Sequence, residues 1–127
     1  MRYEDTPDLV EKWQKLRWGN DKVYCPICGT TNIRLGGFLK KGGKQSPWRK
    51  YICNNCGLYF NDLTGTPFEN AKISIRTIIA IAELTEMGMG VKEIAEHLEL
   101  PEPTVMYWRK IFREEPHWKE IMLSLLD

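Results

Sequence analysis

Two short runs hold the densest chemistry in the chain: Cys25-Pro-Ile-Cys28-Gly29 and Cys53-Asn-Asn-Cys56-Gly57. Both have the form Cys-x-x-Cys-Gly, and 24 residues lie between them from Gly29 to Ile52. A two-residue gap lets both sulfurs of a run face one ion. The glycine that follows permits a tight turn that aims backbone N–H groups at the sulfurs and stabilises thiolate charge. Two such knuckles supply a closed, tetrahedral four-sulfur set with no open position, the pattern of structural zinc and not of catalytic zinc. Cys25, Cys28, Cys53 and Cys56 are therefore read as ligands of one structural Zn2+ per chain. Iron held by four thiolates uses very similar knuckles and is the alternative metal. A thioredoxin-like redox pair would need a knuckle at a helix start in a βαβ context, which the pattern lacks. Two disulfides are disfavoured because the N-terminus lacks the apolar core of a signal peptide. His97 and His117 fall on expected helices away from the knuckles and read as ordinary surface or packing residues.

The formal net charge of +1 conceals an asymmetry. From Lys22 to Asn61 there are seven basic residues (Lys22, Arg34, Lys40, Lys41, Lys44, Arg49 and Lys50) and no Asp or Glu. The rest of the chain carries 11 basic residues against 17 acidic ones. Four thiolates on a divalent metal still leave the basic segment strongly positive. Such a unit beside an acidic remainder points to a polyanionic partner, against the plainer reading of a solvated, charged loop. A hydrophobic fraction of 43% with five Trp is far too rich for a disordered chain. No apolar run reaches the roughly 18 residues that span a bilayer. The expectation is a cytoplasmic protein, nucleoid-associated when bound to DNA, with no membrane partner and no small-molecule substrate.

The elements that must carry these residues follow from caps and periodicity. Thr6-Pro7-Asp8 starts a helix over 7–18, with Thr6 as cap, and Leu9, Trp13 and Leu16 at i, i+4, i+7. Residues 23–62 read as short strands: Asn32–Leu35, Phe38–Lys40, a Lys41-Gly-Gly-Lys44 turn, Trp48–Ile52 and Leu58–Asn61. Beyond Pro67 the period becomes 3.6. Ser74 caps a helix carrying Ile75, Ile78, Ile79 and Ala82, with Ile81 on its flank and Gly88 at its end. Val91–Leu98 and Pro103–Arg113 are two further helices around the turn Glu99-Leu-Pro-Glu102, and Pro116 starts a last one. The fold class is thus small α+β: a helix at 1–22 packed on a four-cysteine ribbon of short antiparallel strands at 23–66. A helical unit at 67–115 and a C-terminal amphipathic helix at 116–127 follow.

Residues 91–108 fit a helix-turn-helix, with Ala95 allowing close crossing and Leu98, Leu100, Val105 and Trp108 filling the wedge. Glu99 stands where such turns often have Gly. With both halves in view, the chain resembles the N-terminal region of zinc-ribbon insertion-sequence transposases over roughly residues 8–114. Four pieces match in order. Glu11-Lys-Trp-Gln-Lys-Leu-Arg-Trp18 leads into the first knuckle, and Arg49-Lys-Tyr-Ile-Cys53-Asn-Asn-Cys56 with Phe60 follows. Thr64-Gly-Thr-Pro-Phe-Glu69 comes next, resembling that family's junction, and then the helix-turn-helix to Arg113. The resemblance implies a DNA-end-binding region or a small transposase-derived regulator. The catalytic domain of that family, with its three metal-binding acids, has no counterpart here, so no enzymatic activity is expected.

On this reading the second helix of the pair enters the major groove of double-stranded DNA. With Val105, Trp108 and Phe112 inward, Pro103, Met106, Tyr107 and Lys110 face the bases. Lys40, Lys41, Lys44, Arg49, Lys50, Arg109 and Arg113 are the expected phosphate contacts. The competing reading is a protein-interaction adaptor that binds transcription or recombination machinery through the ribbon and the apolar tail. In that tail Trp118, Ile121, Met122 and Leu125 form a stripe, which either packs on the chain's own helices or pairs with a second copy in a homodimer.

Overall fold

The structure, a computed structural model, describes residues 4–19, 22–41 and 44–126. It holds five helices and a three-stranded antiparallel sheet among those residues, and the chain divides into two compact units at Glu69/Asn70.

In the first unit, helix α1 spans Pro7–Trp18. The Thr6 hydroxyl accepts from the Leu9 N–H at 3.3 Å, and Gly19, at φ 75°, closes the helix. The sheet has the order β1-β2-β3, with β1 Ile33–Lys41, β2 Lys44–Cys53 and β3 Tyr59–Asn61. The two strand segments expected at 32–35 and 38–40 are one strand. The register slips between Leu35 and Phe38, and Gly37 takes a φ of 96° there, so a bulge interrupts the alternation without ending the ladder. Of the expected Lys41-Gly-Gly-Lys44 turn, Gly42 and Gly43 lie outside the described residues. Lys41 and Lys44 pair across the strands.

Aromatic rings fill the space between α1 and the sheet. Trp13 meets Trp48 and Phe68 edge-on, with centroids 6.5 and 5.7 Å away. Trp18 packs with Tyr51 and Phe60, and Val23, Ile33 and Leu58 close the edge of that cluster. At the centre lies Asp62, with no exposed surface. Its carboxylate accepts from Gln14 Nε2 (2.9 Å), Trp18 Nε1 (3.1 Å), the Arg49 N–H (2.9 Å) and the Tyr51 hydroxyl (2.5 Å). Its carbonyl accepts from Trp13 Nε1 at 2.7 Å. These bonds turn α1 so that Leu9, Val10, Trp13 and Trp18 face inward. Leu16, expected on the buried stripe, is instead 57% exposed, because bringing both indoles to Asp62 rotates it outward.

In the second unit, α2 spans Ile75–Glu86, α3 Val91–Leu98, α4 Glu102–Glu114 and α5 Pro116–Ser124. The Ser74 hydroxyl accepts from the Thr77 N–H at 3.0 Å and caps α2. Ile78, Ile79, Ile81, Ile94, Val105 and Met122 are completely buried and form the core. Ile81, expected on the flank of α2, is as buried as its neighbours. Helix α5 packs against both α2 and α4. Met122 and Leu125 of the tail stripe are buried there, Trp118 and Ile121 are half-buried, and Leu126 stays exposed.

Candidate metal centre

The sheet register builds the cysteine cluster. Cys53, the last residue of β2, pairs with Ile33 at the start of β1, so the second knuckle lies beside the residues that follow the first. The Asn54 N–H and side-chain amide donate to the backbone and side chain of Asn32 (both 3.0 Å), and Asn32 Nδ2 donates to Asn55 at 3.2 Å. The Asn-Asn pair inside the second knuckle thus laces the two knuckles together, a role that sequence reading missed because its partner is about twenty residues away in the chain.

Ligand atoms of Cys25, Cys28, Cys53 and Cys56 all lie within 4.8 Å of one another. The Cys25–Cys56 and Cys28–Cys53 sulfurs are 3.7 and 3.6 Å apart. A tetrahedron with metal–sulfur bonds of about 2.3 Å has edges of roughly 3.8 Å, so the four sulfurs are spaced for one ion. Gly29 and Gly57, at φ 74° and 76°, let each knuckle turn back so that their N–H groups bond the Cys25 and Cys53 carbonyls at 2.9 Å. The Cys56 N–H reaches the Cys53 sulfur at 3.4 Å. That backbone bond brings the Cys53 thiol down to about 6, and the matching N–H of Cys28 lowers Cys25. At Cys28 and Cys56 the N–H groups of Thr30 and Leu58 also favour the thiolate. Burial and the hydrogen bonds shared with neighbouring sulfurs outweigh them, and Cys56 rises to about 11. Four sulfurs crowded this closely are a donor set arranged for a cation. Cys25 and Cys53 are buried, whereas Cys28 and Cys56 face outward. His97 and His117 are exposed and belong to the other unit.

The expected nucleic-acid contacts are distributed over both units. On the ribbon, Lys40, Lys44 and Lys50 are exposed, and the Lys41 side chain lies outside the described residues. Arg49 is half-buried, with its guanidinium 4.7 Å over the Phe38 ring. In the helical unit, Pro103, Met106, Tyr107, Lys110 and Arg113 are exposed on α4 and Arg109 is half-exposed, while Val105, Trp108 and Phe112 are buried behind them. Lys119 of α5, not singled out by sequence reading, shares a cleft with three of these cations. Among the described residues no helix is long and apolar enough to cross a membrane.

Over 100 residues, 78% of its length, the chain is 28% identical to an uncharacterized protein in transposable element ISH50 of Halobacterium salinarum. It spans 31% of that relative's length. No family model and no solved structure matches the chain.

Proposed function

From this likeness to a transposable-element protein, we propose that the chain is a non-enzymatic, sequence-specific DNA-binding protein stabilised by structural zinc. It acts as a transposase-derived regulator or as a transposon-end-binding region. Zinc held by Cys25, Cys28, Cys53 and Cys56 supplies cross-linking and no reaction, since all four positions around it are taken by sulfur. Helices α3 and α4 serve as the helix-turn-helix, with α4 in the major groove.

The observation that carries this reading is the two-faced character of α4. One face is buried without exception at Val105, Trp108 and Phe112, while the opposite face leaves Met106 58% and Tyr107 54% exposed beside Lys110. Large side chains held out from a rigid helix, with a cation among them, suit contact with base edges and thymine methyl groups. Arg109, Arg113 and the ribbon cations Lys40, Lys41, Lys44, Arg49 and Lys50 supply phosphate contacts that position without reading sequence.

A mobility shift on mixed-sequence duplex at low salt, repeated at higher salt, tests the proposal, and selection from a random DNA pool then identifies the site. Steeply salt-dependent binding with an enriched sequence is the expected outcome. The absence of binding at low salt overturns it in favour of a protein-interaction adaptor. That second reading draws on Ile27, Leu35 and Tyr59, which are 76%, 62% and 75% exposed on the ribbon.

A further inference from the structure

The helical unit contains a cleft of about 580 Å3 that adjoins the predicted base-facing surface of α4 and shares Met106 and Lys110 with it. Arg109, Lys110 and Arg113 of α4 and Lys119 of α5 line it, over an apolar floor that includes Phe112. None of the lining residues is acidic. Lys110 lies 4.0 Å from Glu114 and Lys119 3.4 Å from Glu86, so two of the four cations are matched by neighbouring carboxylates. Arg109 and Arg113 form no ion pair among the described residues, which leaves the set two charges positive. Thr85, at the end of α2, also lines the cleft, and its hydroxyl is buried with no hydrogen-bond partner among the described residues.

Resting on the DNA-binding reading, we infer that this cleft seats backbone phosphates of the strand that flanks the groove read by α4, with Lys119 as one of their ligands. Two guanidinium groups offer planar forks that match phosphate oxygens, and two ammonium groups add charge without directional demand. Phosphate groups could reach the cleft from a free nucleotide or from a strand. Met106 and Lys110 favour the strand, because both belong to the cleft wall and to the base-facing set. A duplex engaged by those two side chains lays its adjacent backbone across Arg109, Arg113 and Lys119. Helix α5 is then part of the interface and not only a brace for the core.

The test uses the full chain with its metal and measures affinity for the selected site and for mixed duplex across a salt series. Lys119→Gln combined with Arg113→Gln is expected to lower the slope of log K against log salt by about two, at about 0.9 per lost phosphate contact, and to leave the preference between the two duplexes unchanged. Glu86→Gln separates phosphate contact from mere bracing. It breaks the same ion pair as Lys119→Gln but leaves the lysine in place, so it should bind as tightly as the parent or more tightly. If the parent binds and the double variant keeps its slope, the cleft is not a phosphate site and the DNA reading stands without it. If Glu86→Gln and Lys119→Gln weaken binding equally, Lys119 is only structural. If deoxynucleoside monophosphate protects the parent but not the double variant from thermal unfolding, while the duplex slopes agree, the cleft takes a free anion and the inference fails. If the parent binds no duplex, the functional reading fails first and the inference with it.

Discussion

Asp62 ends the run of the sequence that holds no acidic residue, and its charge is spent inward on α1 and β2 rather than on the neighbouring lysines. Four donors point at its carboxylate oxygens, so Asp62→Asn replaces one acceptor with a donor and sets N–H against N–H. Charge-assisted bonds of this kind contribute about 1.5–3 kcal/mol each, and a loss of about 3 kcal/mol from the ribbon unit is expected in denaturant unfolding. Tyr51 reports on the same centre through pH. Burial, and then its bond to the Asp62 carboxylate, raise its phenol well above the ordinary range. A group raised on folding contributes stability that is complete below its unfolded value, near 10, and is lost as pH climbs towards the folded one. The ribbon unit should therefore weaken above about pH 10, and Tyr51→Phe, less stable at neutral pH, should lose part of that alkaline dependence when the two melting curves are compared. The four cysteines were legible in the sequence because a knuckle is local: spacing, glycine and ligand type all sit within five residues. Asp62 was not, since its donors Gln14 and Trp18 lie 48 and 44 residues away and nothing near it marks a buried charge.

Between α3 and α4, Glu99 occupies the left-handed region at φ 57°, ψ 45°, where a side chain crowds the backbone. Glycine is the residue this conformation favours, and its absence was visible from the sequence. Glu99→Gly should be more stable than Glu99→Ala by about 1 kcal/mol in thermal unfolding, because both lose the same side-chain interactions and only glycine relieves the turn. Helix boundaries were readable to within a residue or so because caps and the 3.6 period act within one element. Orientation was not, as Leu16 illustrates: α1 presents the face that satisfies two indole N–H groups, a demand set by a partner outside the helix. The merging of two expected strands into β1 has a similar origin. Gly36-Gly37 looks like a break, yet a partner strand on one side holds the ladder together through a bulge.

For the molecule as a whole, the division into two units predicts independent failure. Cys28→Ser or Cys53→Ser should unfold the ribbon and leave the α2–α5 helical signal largely intact by circular dichroism, because all four cysteines lie within one unit. Elemental analysis of protein as isolated from cells should give one zinc per chain, and a coloured, iron-loaded protein would refute that assignment. The tail is tested by Trp118→Ala with Leu125→Ala. With Leu125 and Met122 buried beneath α2 and α4, the expected outcome is a lower melting temperature, with parent and variant both sedimenting as monomers across the micromolar range. A parent that sediments as a dimer while the variant does not would instead establish pairing through α5. If the proposed DNA-binding reading holds, separate cationic surfaces on two linked units would also give the chain avidity. Once one unit was seated, the other would meet DNA at a high effective concentration, and the pair would hold on the order of 10²–10⁴ times more tightly than either alone. A chelator that dissolves the ribbon would then shorten residence on DNA without touching α4, so the supply of metal would set how long the protein stays and not where it goes.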